Sequence, residues 1–527
     1  ALVAAGMTDA QAARFADPAQ GYTIVDQYSD PLTGFSATIF DEGGVNYFAI
    51  RGTDPSFFAV ALDWLTNVKD VSWDGIAISQ GIALFNYLQR LQGAAGNPVV
   101  QYVYDPLTRT VGTTTGTANG LLSGQQVSVT GHSLGGHLAM MTSRLAPSMV
   151  NAVYTYNVPG FDTPFRTNLF PLTSEGFFDL LRAAPIGPIT GAIGTSWNSQ
   201  IMSHLNVPGD VVHDIGHTPG VQQIIFSESA NQGVIDAHDK VPLTDTLGLY
   251  SLFATLDPTV SVATVSSILE ASAAKSDKSL ENALDSLRTL FQENYAFGSP
   301  DGNSASTPLG NRDRFYTNLF DLRSYLENLP FYNQDTKSLG FTIGTLAGSD
   351  VTSLVNAAKT DIAARYALYK LNSFVIRGAD SVYNAINNSN GALDLYAAST
   401  GAGALTDQYL QDRGAFLVNK LWAGTKDKTT VSGDALALRN SGSQYFEDRA
   451  TGYRLYLGED RFVSDIPVNG ITDIVFGSSQ NEAITGGKKW DHLYGQGGDD
   501  ILRGKLGKDY LEGGQGSDTY VYNSGDG

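Results

Sequence analysis

Ser133 stands between glycines in the run Thr130, Gly131, His132, Ser133, Leu134, Gly135, Gly136, His137. That spacing suits a hydrolytic nucleophile. Val127 and Val129 read as a short apolar strand, and Leu138, Met141, Thr142 and Leu145 follow at helical spacing, so the serine falls where a strand turns into a helix. Such a turn strains the serine backbone and brings strand and helix close, and Gly131 and Gly135 remove the Cβ atoms that would clash there. A serine hydroxyl is a poor nucleophile until a base takes its proton, and a carboxylate must hold that base in the right tautomer.

For a serine in this setting the carboxylate and the base follow it in chain order. The carboxylate is expected on a loop directly after a core strand. Ile201 to Val207, followed by Pro208, Gly209 and Asp210, has that form, so Asp210 is the first candidate and Asp214 the second. Six histidines follow the serine: His137, His204, His213, His217, His238 and His492. His137 lies one helical turn past Ser133 and belongs to its helix, and His492 lies among the repeats described below. His238 precedes a helix suggested by Leu243, Leu247 and Tyr250 and is the preferred base, with His217 and His213 as alternatives. A tetrahedral intermediate also needs backbone donors for its oxyanion. The amide of Leu134 is one candidate; Thr53, in the loop where Tyr47 to Ile50 runs into Arg51 and Gly52, is the other, through its amide and its hydroxyl.

The elements that must position these groups extend from Tyr22 to about Pro258, where β-branched and aromatic runs alternate with helical patterns. The alternation predicts an α/β fold with a mainly parallel sheet covered on both faces. From about Val260 to Asp460 the pattern becomes helical, with predicted helices over Ser279–Phe291, Phe315–Leu326, Ile362–Leu371 and Tyr409–Leu421 and no catalytic constellation, as in a structural connector. A chain of 527 residues exceeds one core. The division expected is an α/β-hydrolase catalytic domain over 1–260, a helix-rich middle region over 261–465 and a C-terminal parallel β-roll over 466–527.

The last segment is periodic. Gly486, Gly495, Gly504 and Gly513 recur every nine residues, as do Asp491, Asp500, Asp509 and Asp518, each followed two positions later by Leu493, Leu502, Leu511 or Tyr520. This is the G-G-x-G-x-D-x-U-x nonapeptide. Six residues turn and three form a short strand, so repeats two apart stack: Asp491 over Asp509, Asp500 over Asp518, with Leu493, Leu511, Leu502 and Tyr520 pointing into a thin core. The aspartates, with turn carbonyls such as those of Gly495, Gly497, Gly504 and Gly513, offer the hard oxygens that Ca²⁺ requires, and folding is expected to depend on the ion. The phase weakens upstream, through Gly477, Glu482 and Ile484 to Asp473 and Val475, as a capping turn would.

A net charge of −20 disfavours nucleic acid and disfavours docking on anionic lipid through a basic patch; cations are the expected ionic partners. The absence of cysteine excludes disulfides and thiol catalysis. Residues 1–21 lack the basic and apolar regions of a signal peptide, and no window has the roughly 18 apolar residues of a membrane span. Two apolar stretches, Pro55–Leu62 and Gly176–Gly194, have the composition of either a lid or ordinary core.

Arg51-Gly52-Thr53, Asp63-Trp64, the run from Val129 to Gly136 and then Asn206 to Val212 resemble, in their order, the fungal class-three lipases, over about residues 35–250. The nonapeptides resemble the RTX repeats of bacterial proteins exported by type I secretion, and the two together resemble an RTX lipase or phospholipase. The resemblance implies a triad of Ser133, Asp210 and His238, an oxyanion role for Thr53, calcium at the repeats, and a C-terminal secretion signal. It implies a secreted lipase that cleaves acyl esters at a lipid–water interface through an acyl-enzyme, or a phospholipase A1 using the same machinery. A reading of another class is a surface-binding adhesin whose hydrolase domain is inactive.

Overall fold

A computed structural model describes residues 3, 6–52, 76–105, 108, 110–162, 173–183, 193–228, 234–272, 279–291, 309–425, 444–457 and 471–526. The chain divides into two units, Ala1–Thr244 and Asp245–Gly527. Thr53 and the stretch Pro55–Leu62 lie outside the described residues.

The first unit contains β1 (Tyr22–Ser29), β2 (Ser36–Glu42), β3 (Val45–Ile50), β4 (Pro98–Asp105), β5 (Thr110–Thr117), β6 (Val127–His132), β7 (Val150–Tyr156), β8 (Met202–Asn206) and β9 (Val221–Ile224). Its helices include α1 (Asp9–Ala16), α2 (Ile78–Gln92), α3 (Leu134–Leu145), α4 (Ser174–Ala183) and α5 (Val234–His238). Seven strands form one sheet in the order β1-β2-β3-β6-β7-β8-β9, and β4 and β5 form a separate hairpin. The sheet is parallel from β3 to β9, as the strand and helix alternation predicts, but antiparallel along β1-β2-β3. The reversal between β2 and β3 is made by Gly43 and Gly44, both at positive φ, which a two-residue hairpin turn demands.

Val127 and Val129 of β6, Phe48 and Ile50 of β3 and Val153 of β7 are buried against Leu138, Met141 and Leu145 of α3 and Leu84 and Leu88 of α2. The opposite face is less covered than expected: Ser128 and Thr130 are half-buried and Tyr154 is exposed. β6 alternates strictly, so its second row is polar and needs no apolar cover. Phe177, Phe178 and Leu181 of α4 are fully buried, and the described part of the second lid candidate is therefore core.

The second unit takes in α6 (Lys240–Leu256) from Asp245 onward, then α7 (Val262–Ala271), α8 (Ser279–Phe291), α9 (Leu309–Glu327), β10 (Thr342–Thr345), α10 (Val351–Thr360), α11 (Ile362–Lys370), β11 (Phe374–Arg377), which pairs antiparallel with β10, and α12 (Asp407–Thr425). The four helices predicted by periodicity correspond to α8, α9, α11 and α12. None of the described helices is long and apolar enough to cross a membrane.

Next come β12 (Gln444–Asp448), β13 (Tyr453–Leu457), β14 (Thr472–Phe476), β15 (Ala483–Thr485), β16 (His492–Gly497), β17 (Ile501–Arg503), β18 (Tyr510–Gln515) and β19 (Thr519–Tyr520). They form two sheets, β13-β12-β14-β16-β18 and β15-β17-β19. Leu493 pairs with Leu511 and Leu502 with Tyr520, a register of eighteen residues that makes a parallel β-roll with two repeats per coil. The two sides are uneven, because pairing on one side runs on through Gln496 and Gly497. Val475, Ile484, Leu493 and Leu502 form the thin core, with Leu511 packed against it. Tyr520 departs from the expected inward position and is 43% exposed. A phenol is too large for an interior otherwise holding Val, Ile and Leu, and its hydroxyl accepts the Gly513 amide instead, at 2.8 Å. Asp412 of α12 accepts hydrogen bonds from His492 and from the Tyr494 hydroxyl, joining helix and roll.

Candidate active site

Ser133 joins β6 to α3 with φ 55° and ψ −130°, a conformation that an L-residue rarely adopts. Backbone held there costs on the order of 1–3 kcal/mol and persists only where its surroundings enforce it. The enforcing contacts are close ones. A Cβ on Gly131 would overlap the Gly135 carbonyl, and one on Gly135 would overlap the Ile50 carbonyl and lie 2.8 Å from the Gly52 nitrogen. The Ser133 amide also donates to the Tyr156 carbonyl at 2.9 Å. The turn is thus wedged between β3 and β7, and only glycine fits on its two sides.

The Ser133 hydroxyl lies 2.9 Å from Nε2 of His238. Nδ1 of the same imidazole lies 3.0 Å from Oδ2 of Asp210. All three residues are at least nine-tenths buried. Asp210 follows β8, and its second oxygen, Oδ1, accepts the Val212 amide at 2.9 Å, which fixes the carboxylate plane. His238 closes α5, 105 residues beyond the serine. Asp214 instead lies beside His213, at 3.5 Å, with an exposed side chain. His217 pairs through its backbone with Phe161.

A buried residue that the sequence reading passed over links the two loops. Asn157, just past β7, accepts the Val207 amide at 2.9 Å and donates to the Ala237 carbonyl at 3.1 Å. One side chain therefore holds the loop of Asp210 and the residue before His238. Its φ of 46° is a left-handed conformation that asparagine tolerates better than most residues. An asparagine at the end of the strand beside the serine's strand, followed by Val158, Pro159 and Gly160, is the available signal.

His132 hydrogen-bonds the His238 backbone, its ring centroid is 4.8 Å from that of His238, and its Nε2 is buried with no partner among the described residues. Burial, then the charge of His238, lowers its pKa to about 3, so it stays neutral beside the imidazole of His238. His137 braces the start of α2: Nδ1 faces the Pro159 carbonyl at 3.2 Å and Nε2 accepts the Ala77 amide at 3.4 Å. Burial lowers its pKa to about 4. Below the ordinary value of 6.5 the unfolded chain binds a proton that folded His137 refuses, so stability falls as pH drops from 6.5 towards 4. His137→Gln keeps both hydrogen bonds without the titration. Between pH 7 and pH 5 its urea midpoint is expected to shift relative to the parent by an equivalent of about 2 kcal/mol in the variant's favour.

Two backbone donors were expected near the serine. Leu134 opens α3, so its amide has no acceptor within the helix. Thr53 lies outside the described residues, but the strand end that leads to it touches the turn: a Cβ on Gly52 would lie 2.6 Å from the His132 carbonyl.

In the roll, each aspartate reaches the coil before it. Oδ1 of Asp491, Asp509, Asp500 and Asp518 accepts the amide of Asp473, Asp491, Glu482 and Asp500 respectively, at 2.8–3.0 Å. Oδ2 of Asp491, Asp500, Asp509 and Asp518 faces Gly486, Gly495, Gly504 and Gly513 respectively, where a Cβ would overlap it. At Gly495 that same space is met by the Gly513 carbonyl, and at Gly486 by the Gly504 carbonyl. Asp500 Oδ2 is buried with no hydrogen-bond partner among the described residues. Paired carboxylate and carbonyl oxygens around a cradle too small for a methyl group fit a hard cation. Burial, then repulsion from Asp491, raises the pKa of Asp473 to about 6, and burial raises those of Asp491 and Asp500. Gly497 lies in β16, its amide on the Ser478 carbonyl, with no carboxylate oxygen among the nearest atoms to its Cβ position.

Residues 476–511, 485–520 and 494–527 match the family of the RTX calcium-binding nonapeptide repeat. These repeats bind Ca²⁺. Solved structures similar to the chain include the Lip2 lipase from Yarrowia lipolytica, at 16% identity and a TM-score of 0.20, covering 41% of this chain and 68% of that one. A lipase from Rhizopus microsporus var. chinensis matches at 16% identity and a TM-score of 0.18, covering 42% and 68%. No curated protein matches the chain. Likeness at that level carries no weight on function; the side chains around Ser133 do.

Proposed function

We propose that this chain is a secreted serine ester hydrolase of the α/β-hydrolase type, cleaving acyl esters of lipids through an acyl-enzyme. The observation that carries the reading is the unbroken hydrogen-bonded line from Ser133 Oγ through His238 to Asp210, set on a strained strand-to-helix turn. His238 Nε2 takes the hydroxyl proton as Oγ attacks the ester carbonyl, and Asp210 steadies the imidazolium. The oxyanion meets the Leu134 amide, with Thr53 as the second donor. The imidazolium then protonates the departing alcohol, the C–O bond breaks, and the acyl group remains on Oγ. Water, deprotonated by the same imidazole, releases the acid. The RTX repeats, typical of type I secretion substrates, support action outside the cell, and Ca²⁺ serves there as a structural ion held by Asp491, Asp500, Asp509 and Asp518 with glycine carbonyls. A serine-directed fluorophosphonate is expected to label the parent and to leave Ser133→Ala unlabelled. A parent that fails to label sinks the reading and favours a binding module with an inactive hydrolase domain.

Asn157 acts here as a positioning residue. Asn157→Gly keeps the left-handed backbone and removes both bridges, and is expected to lower kcat on a soluble aryl ester by about 10- to 100-fold with little change in KM. A kcat equal to the parent's contradicts that role.

A further inference from the structure

The stacking of the coils sorts charge onto one side of the roll. Turns 486–491 and 504–509 lie on each other: Thr485 pairs with Arg503, the Gly486 amide donates to the Arg503 carbonyl at 2.9 Å, and the Asp491 amide donates to Asp509 at 2.9 Å. These two turns hold Lys488, Lys489 and Trp490, and Lys505, Leu506 and Lys508. The turns on the other side, 477–482, 495–500 and 513–518, contain no lysine or arginine. Five of the 33 basic residues of the chain fall within positions 488–508, in a protein of net charge −20.

The apolar members of these turns face water. Trp490 is 62% exposed and Leu506 48%, and Lys488, Lys489 and Lys508 are exposed beside them. The Lys508 ammonium lies 5.7 Å from the centre of the Trp490 ring, so this cation and the indole bridge the two coils. An indole with lysines around it suits the boundary between phospholipid headgroups and acyl chains: the ring enters the interface and the ammonium groups meet phosphate and carboxylate. At physiological ionic strength charges act over about 8 Å, so the strip is felt locally even though the chain as a whole is acidic. The expectation drawn from net charge, that no basic patch would dock on anionic lipid, averages over this asymmetry.

We infer that the strip of Lys488, Lys489, Trp490, Lys505, Leu506 and Lys508 is a docking surface for an anionic phospholipid bilayer. Calcium gates it. Within the two turns the four lysines are opposed by Asp491 and Asp509, and an ion held by those carboxylates cancels their charge while fixing the turns in register. The inference is independent of any role for Ser133, because it concerns adsorption and not turnover.

The test is sedimentation of the full chain with sucrose-loaded vesicles of neutral phosphatidylcholine, or of phosphatidylcholine with about a third phosphatidylserine. Saturating calcium binding to the anionic vesicles only, weakened by salt and lost with chelator, is the expected pattern. The triple variant K488Q/K489Q/K508Q is expected to lose about a hundredfold in affinity and W490A about tenfold. Both should keep the parent's calcium-dependent melting curve and its fluorophosphonate labelling, which shows them folded. Equal binding to both vesicles, or anionic binding untouched in the triple variant as direct calcium bridging would give, overturns the inference. Undiminished binding by W490A overturns it too, and leaves a site for soluble polyanions.

Discussion

Ser133→Ala is expected to lower kcat towards a soluble aryl ester by on the order of 10⁴- to 10⁶-fold, with His238→Ala close behind and the double variant no worse than the poorer single one. Hydroxyl and imidazole act as one unit: without its base the hydroxyl keeps its proton, and without the hydroxyl the base has nothing to activate. Asp210→Asn is expected to fall less far than either. The hydrogen bond to Nδ1 would then come from an amide that can present a donor, and the imidazole can settle in the wrong tautomer. Steady-state kinetics on the same ester checks all four variants, with fluorophosphonate labelling as a readout that needs no substrate. Additive losses, or a His238→Ala variant near the parent's rate, contradict the arrangement.

Chelating calcium is expected to lower the melting temperature of the second unit sharply. Each site filled at a hundredfold over its dissociation constant adds about 2.7 kcal/mol, and several sites act on a core of five aliphatic side chains. Stripped of the ion, Asp500 keeps a buried oxygen with no partner among the described residues. Asp509→Ala removes a ligand together with the acceptor for the Asp491 amide, so added calcium should stabilise it less than the parent. Calorimetry of the full chain with calcium and with chelator reads both effects; superimposable curves contradict them.

Much of this arrangement is legible in the residues because chemistry and chain geometry coincide at element boundaries. Ser133 stands out because only glycines tolerate the crowding beside it; Asp210 and His238 stand out because they end or follow elements at the end of the sheet where the serine lies. The nonapeptide register is legible because its period fixes which side chains stack. Asn157 is harder to find, since its partners are backbone groups 50 and 80 residues away and leave no pattern. The antiparallel edge was hidden by an alternation rule that describes only crossovers, although Gly43 and Gly44 mark its turn. Tyr520 obeys the repeat in sequence but not in space, because register specifies direction and volume decides entry. The β-roll sheet also recruits β12 and β13 from outside the periodic segment, where no repeat announces them.

The hydrogen bonds accepted by Oδ1 of the four repeat aspartates all run one way. An amide in one coil is satisfied by a carboxylate from the coil that follows it in the chain, as Asp473 is by Asp491 and Asp491 by Asp509. These carboxylate rungs therefore have a polarity of their own: each is supplied by the next coil, while the amides of Ile501, Tyr510 and Thr519 reach back to the carbonyls of Glu482, Asp491 and Asp500. Loss of a late coil withdraws the carboxylate from the coil before it, whereas damage to an early coil leaves the carboxylate rungs beyond it in place.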